Sequence, residues 1–414
     1  MDLIAFCVVI AIRLSRPGYR LLVLDMDNIC GRGEEGRDTC SLVVTVDAIK
    51  PQLTGIGRYT WEIAKRAAML DCVSLIRYYD RGKLVGDLDG LRKGIRPPKD
   101  PWLIREIRRL ASPVMKNRPR FNGAVFHSTN FFLPDRIESG VVTIHDISVL
   151  KFPETHPLDR VRQYERYFND TLKRTAHVIT VSEHARREII EVLGLHETKV
   201  TAIHLGVDDV YRDARRIVEG AGRSNEHFYG LESDSYTLCV STLEPRKNID
   251  KLLTAYSHLS AEIKSKFPLV LIGAVGWLSE KLEAQIASLK SEGWLRVLGY
   301  VPEADLPFLY ARARLFAYPS MYEGFGLPIA EAMAAGVPVV TSDQSSLPEV
   351  AAGAAAIVDP NDIVQFSAVL RRGLEDDEWR RDARARGLDV SDGYLWQRCV
   401  ERTGEIYQRV HAAR

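Results

Sequence analysis

The sequence predicts an α/β protein of two Rossmann-like domains, each a parallel sheet covered by helices, facing one interdomain cleft. Three observations carry this. The chain has 414 residues, more than one hydrophobic core comfortably organises. Short β-branched apolar runs alternate with helical patterns in two successive series, as in parallel sheets buried on both faces. Between the series, Asp213, Arg215, Arg216, Glu219, Gly220, Gly222, Ser224, Asn225 and Glu226 make residues 212–234 polar and Gly-containing, which reads as a linker.

In chain order, residues 3–12 form an apolar run flanked by Arg13 and Arg16. It is too short to span a bilayer unaided and lacks the charge order and cleavage site of a signal peptide. The Gly-rich stretch after it has no periodicity, so residues 1–40 read as an extension outside the main fold. The first domain is expected over 41–212, with strands near 42–46, 123–127, 141–145, 178–181 and 200–203 and helices near 158–174 and 183–193. The second is expected over 235–393, with strands near 238–241, 269–272, 295–298, 315–318 and 337–341. Residues 394–414 read as a helix that can cross back onto the first domain.

Composition narrows the function. The formal net charge is +1 and the apolar and charged fractions are 46% and 27%, ordinary for a soluble enzyme. No nucleic-acid partner is expected from so balanced a chain. The six cysteines (Cys7, Cys30, Cys40, Cys72, Cys239, Cys399) are scattered without zinc spacing and read as free thiols of a cytoplasmic protein.

Open α/β sheets bind ligands beyond the carboxyl ends of their strands, so the segments after each strand hold the candidates. After the strand ending at Tyr318 comes Pro319-Ser320-Met321-Tyr322-Glu323-Gly324-Phe325-Gly326-Leu327-Pro328-Ile329-Ala330-Glu331. Pro328 suits the first position of a helix, which puts Glu331 in its first turn and Glu323 in the loop. A carboxylate accepts from two vicinal hydroxyls of a ribose or hexose, and a Gly-lined turn brings backbone N–H groups close to a phosphate. A second loop, Ser241-Thr242-Leu243-Glu244-Pro245-Arg246-Lys247-Asn248, offers a guanidinium fork and a point charge to a diphosphate. Gly55 and Gly57, in Thr54-Gly55-Ile56-Gly57-Arg58, follow the first strand; they fit either a tight turn or a phosphate-facing loop. His145 and Asp146 end one strand and His127 a neighbouring one. These residues alone fit equally a ligand-contacting histidine and a structural one.

Together these motifs resemble the GT-B fold retaining glycosyltransferases of family 4, also called group 1. Glu323 and Glu331, with seven residues between them, match the family's E-x7-E signature. Glu-Pro-Arg-Lys-Asn at 244–248 is similar to its diphosphate loop, and Thr-Gly-Ile-Gly-Arg-Tyr at 54–59 to its first Gly-rich loop. His145-Asp146 with Phe152-Pro153-Glu154, and Val181-Ser182-Glu183, also resemble it. The wording looks most like bacterial mannosyltransferases of O-antigen and exopolysaccharide synthesis.

The resemblance implies a nucleotide sugar donor, a glycan or lipid-linked oligosaccharide acceptor, and no metal or cofactor. Arg246 and Lys247 would hold the diphosphate, Glu331 the ribose and Glu323 the hexose. The amides of Gly324, Phe325, Gly326 and Leu327 would assist. Gly55 and Gly57 would face the donor, and the turn at Tyr300 and Val301 would present its backbone to the base. His145 would contact the donor sugar near the reacting carbon, with His127 and Asp146 on the acceptor side. Many members carry an arginine five residues before Arg246, where this chain has Ser241. Asp25-Met26-Asp27 and Asp87-Leu88-Asp89 imitate a metal-binding D-x-D, but the first lies in the unpatterned extension and the second in a polar loop, so both read as chance. Residues 101–120 place Trp102, Leu103, Ile107 and Leu110 at helical spacing among six basic residues. That fits a helix docked on its own domain or a surface resting on anionic lipid at the inner face of the plasma membrane. The rival functions are an epimerase or hydrolase of the same fold and a non-catalytic scaffold of a polysaccharide assembly.

Overall fold

The computed structural model describes residues 39–96, 121, 123–135, 137–221, 228–274 and 280–414. The extension before residue 39, including Asp25 and Asp27, and the basic stretch at 101–120 lie outside the described residues.

The first sheet has seven strands: β1 (Cys40–Thr45), β2 (Val73–Asp80), β3 (Lys83–Val85), β4 (Val125–Ser128), β5 (Gly140–Thr143), β6 (Thr175–Thr180) and β7 (Val200–Ala202), in the order β3-β2-β1-β4-β5-β6-β7. All neighbours run parallel except β2 and β3. The central strands are wholly buried, as in β4 and β5, which is why they read as continuous apolar runs. The β2–β3 edge escaped the sequence reading because β2 is half exposed and carries Arg77 and Asp80 among its apolar residues.

The second sheet has six parallel strands: β8 (Thr237–Val240), β9 (Leu269–Ile272), β10 (Leu295–Gly299), β11 (Leu315–Tyr318), β12 (Val339–Ser342) and β13 (Ala356–Val358), ordered β10-β9-β8-β11-β12-β13. Only the three-residue edge strand β13 went unread.

The expected linker is corrected at its start. Residues Asp209–Gly220 form a helix, capped by the Asp208 carboxylate accepting from Val210 N–H. Its polar composition conceals a narrow buried stripe of Tyr211, Arg212 and Ala214. Tyr211 meets Tyr310 edge-on at 5.4 Å, and Arg212 Nη2 donates to Ser391 O at 2.7 Å. The helix thus packs on the second sheet's helices instead of spanning solvent.

The last helix, Trp396–Ala412, lies on the first sheet. Tyr407 Oη bonds His127 Nδ1 at 2.7 Å, and Arg414 Nη1 donates to Ala124 O at 2.5 Å. Two segments therefore join the halves, and Val207 N–H ties them by donating to Tyr394 O at 3.0 Å. Both sheets point the carboxyl ends of their strands at the same cleft, where loops of the two halves touch directly.

Candidate active site

The cleft is built on the loop after β11. Gly326 caps the helix Leu327–Ala334 with φ 106°, a conformation glycine adopts without strain. Its helix begins one residue before Pro328, so Glu331 is its fifth residue and stands in the second turn, not the first. Gly324 has a different reason. A Cβ there would lie 2.1 Å from His145 O, so only glycine lets this loop touch the opposite domain.

Two loops of the second sheet knit together. Met321 N–H donates to Arg246 O at 3.0 Å, and Asn248 Nδ2 donates to Pro319 O at 3.1 Å. Asn248 sits at φ 52°, turning the chain from the Pro245–Lys247 turn into the helix Ile249–Ser257. This brings Lys247 Nζ to 2.5 Å from Glu323 Oε1 and 3.0 Å from Tyr318 Oη. Arg246 lies 3.4 Å from Glu323 Oε2, 2.6 Å from Glu244, and donates to Tyr322 O. Tyr318 Oη and Ser320 Oγ also donate to Glu323, at 2.8 and 2.7 Å. Burial alone would push the Glu323 carboxyl up, but Lys247 and Arg246 hold it down at about 2. Arg246 is itself raised against its desolvation by Glu323 and Glu244.

Glu331 stands in a neighbouring set. Tyr310 Oη donates to its Oε2 at 3.3 Å. Burial raises its carboxyl, opposed by the charge of Arg58 and the hydroxyls of Tyr211 and Tyr310. Arg58 comes from the first domain and also bonds Asp208, at 3.0 Å, and Glu303.

The remaining expected residues divide. Gly55 faces Leu327 across the cleft, where a Cβ would meet Leu327 Cδ1 at 3.8 Å. Gly57 is required by packing, since a Cβ would lie 2.9 Å from Ala48 O. Phe325 is buried between His204 and Tyr394, ring centroids 5.7 and 5.4 Å away. Tyr300, just after β10, is exposed and Val301 buried; the expected contact of this turn with the base is through its backbone.

His145 presents its backbone to Gly324, while its Nε2 bonds Thr129 O at 3.0 Å. Burial lowers it to about 4, so its imidazole is neutral at neutral pH. Asp146 Oδ1 accepts from Ser148 N and Oγ at 2.8 and 2.6 Å. The acceptor-side expectation for His127 is corrected. Its two ring nitrogens bond Tyr407 Oη and Thr143 Oγ1 at 2.7 and 2.8 Å, and it is fully buried; it pins the last helix to the sheet. The Asp87 carboxylate caps the helix Leu88–Arg92 by accepting from Gly90 N–H at 2.8 Å. Among the described residues no group of three or more His, Cys, Asp or Glu could hold a metal ion, and no helix is long and apolar enough to cross a membrane.

Interdomain contacts, absent from the sequence reading, frame the site. Ser182 Oγ donates to Gly324 O at 2.6 Å. Glu349 accepts from Glu183 N–H and His184 N–H at 2.8 and 2.9 Å and lies 2.6 Å from His204 Nε2. Phe152 meets Tyr322 at 5.3 Å. No local pattern announces these partners, because each pair unites segments distant in the chain.

Two Rossmann-like domains closed on one cleft, with a buried base–carboxylate cluster at the strand ends, define an enzyme of the GT-B class. Residues 53–211 match the family model described as Glycosyltransferase Family 4, and residues 225–389 that of Glycosyl transferases group 1. The chain is 37% identical over 382 residues to O-antigen chain mannosyltransferase B of Escherichia coli, covering 89% of this chain and 99% of that protein. It is similar in fold to sucrose-phosphate synthase from Thermosynechococcus elongatus (TM-score 0.65, 16% identity, 91% and 100% of the two chains covered). HepE of Anabaena in complex with UDP and glucose is similar too (TM-score 0.62, 18% identity, 89% and 99% covered). The chain belongs to the group 1, family 4 glycosyltransferases and is a glycosyltransferase.

Proposed function

We propose that the enzyme transfers mannose from GDP-mannose to a hydroxyl of a growing O-antigen-type glycan, with retention at the anomeric carbon and without a metal. The single observation carrying this is the convergence of Arg246, Lys247 and Glu323 at the mouth of the second sheet, against the His145 backbone of the first. The sugar identity is supported by the mannosyltransferase relative.

Breaking the sugar–phosphate bond leaves negative charge on the diphosphate. Fixed cations aimed where charge develops lower that barrier most in a dry site. Arg246 and Lys247 are such cations, held in place by Glu323 and Glu244 before any ligand arrives. Glu331 would take the ribose hydroxyls and Glu323 the hexose hydroxyls. As the bond loosens, the acceptor hydroxyl attacks the same face and its proton passes to the departing phosphate oxygen. No enzymic carboxylate need bond to the sugar, unlike in a retaining glycosidase. Neutral His145 would lend hydrogen bonding near the reacting carbon. The acceptor would be lipid-linked at the inner face of the plasma membrane, met by the basic stretch at 101–120.

A thermal-shift screen of GDP-mannose, UDP-glucose and UDP-GlcNAc identifies the donor. NMR of the product's anomeric proton, with and without EDTA, tests the rest. An inverted anomer, or activity abolished by EDTA, rejects the mechanism.

A further inference from the structure

Tyr322 belongs to the loop of the second sheet that carries Glu323, yet the partners of its hydroxyl and ring come from the first domain. The residue is buried. Its hydroxyl donates to Glu188 Oε2 at 2.6 Å and accepts from Ile147 N–H at 3.4 Å, so both of its hydrogen-bonding roles are filled. Its ring meets Phe152 at 5.3 Å, and the Lys151 ammonium lies 5.3 Å from its centroid.

Glu188, on the helix Glu183–Leu193, is a fixed anchor. Lys151 Nζ donates to its Oε1, and His184 Nε2 lies 3.4 Å from the same atom. Burial alone would push the Glu188 carboxyl up, but hydrogen bonds from His184, Lys151 and Tyr322 hold it at about 2. The Tyr322 hydroxyl therefore meets a carboxylate, and such charge-assisted bonds are shorter and stronger than neutral ones. The main chain of the same residue faces the other way. Tyr322 O accepts from Arg246 Nη1, and the next residue, Glu323, pairs with both Arg246 and Lys247. One residue thus joins an anchor in the first domain to the cations of the second.

We propose that Tyr322 is a positioning residue: docking of its hydroxyl between Glu188 and Ile147, as the cleft closes, sets Arg246 for the diphosphate. The proposal rests on the glycosyl-transfer reading above, in which Arg246 takes that diphosphate. Closure of the cleft and aiming of the charge at the leaving group then become one event. An enzyme whose domains have parted keeps both cations but loses the aim of one, so the donor is activated only when the first domain is seated.

The test uses the full chain, GDP-mannose and, as acceptor probe, an α-dimannoside with an octyl aglycone. Tyr322→Phe keeps the ring and removes the hydroxyl; Glu188→Ala removes its anchor. Each lowers kcat about tenfold or more, the loss of one charge-assisted hydrogen bond. The double variant falls no further than either single one, because both break the same link. Glu188→Gln, whose amide oxygen still accepts from the hydroxyl, stays within about threefold of wild type. Calorimetric titration reads the path to the cation: Tyr322→Phe weakens GDP about fivefold or more and leaves guanosine unchanged. Wild-type kcat in Tyr322→Phe, losses that multiply in the double variant, or a Glu188→Gln as impaired as Glu188→Ala overturns the positioning role. So does equal weakening of GDP and guanosine. If the wild type transfers no mannose while the contrast between GDP and guanosine holds, the positioning role stands and the mannosyl-transfer reading falls. Transfer by the wild type, with Tyr322→Phe unimpaired, keeps that reading and rejects the positioning role.

Discussion

Lys247 and Glu323 meet at 2.5 Å in a nearly closed site, although 75 residues separate them in the chain. Neither side chain is isolated: Arg246 shares the carboxylate and Tyr318 bridges both. Under the proposed function, the ammonium that balances Glu323 in the free enzyme would be the charge available to a departing diphosphate.

Lys247→Ala is expected to lower kcat/KM by at least ~2 kcal/mol of transition-state stabilisation, the scale of losing one strong electrostatic donor. It also leaves Glu323 with one cation fewer, so chemical denaturation should register about 3 kcal/mol of lost stability. Lys247→Ala, Glu323→Gln should recover part of the stability and none of the activity. A single variant with wild-type kcat/KM would remove Lys247 from the mechanism.

Stability should fall as pH drops from about 6.5 toward 4. The folded-state values of His127 and His145 are lowered by burial to about 3 and about 4, below the ordinary value of about 6.5. In that window the unfolded chain binds more protons, so their contribution is present above pH 6.5 and lost as pH falls. Glu323 extends the loss from about 4.5 toward 2, because its folded value is also depressed. Denaturation midpoints measured across pH 4–7 check this, and His127→Gln should flatten the slope.

Gly324→Ala should keep the fold and lose activity. The new methyl would sit 2.1 Å from His145 O, so the two domains would have to part at this contact. Unchanged melting temperature with kcat/KM down at least about a hundredfold is expected. Wild-type turnover would show that this contact is dispensable.

Glu349→Ala should loosen the closed arrangement. Its carboxylate accepts from two backbone N–H groups at the start of the Glu183–Leu193 helix and pairs with His204. Small-angle scattering should give a larger radius of gyration for the variant, and the donor KM should rise. An identical scattering profile would place closure on other contacts such as Arg58–Glu303.

Much of the candidate site was legible because its residues stand in contiguous segments. Strand, Gly-containing loop and helix appear together at 315–334, and Arg246-Lys247 stand in the loop that follows β8. His127 was misassigned for the opposite reason. A histidine at a strand end looks the same whether it meets a ligand or Tyr407, and Tyr407 lies 280 residues away. The helix Asp209–Gly220 was missed because its buried stripe is narrow and its composition polar.

Residue type and spacing alone determined the two alternating series, the strand ends that hold the candidate residues, and the family. Those are properties of short windows, set by side-chain periodicity and turn chemistry. The tertiary structure alone decided which charges neutralise each other, which histidine is a brace, and where the halves clasp. Coulomb interaction and desolvation depend on distance through space and on exclusion of water, and neither quantity exists until the chain has folded.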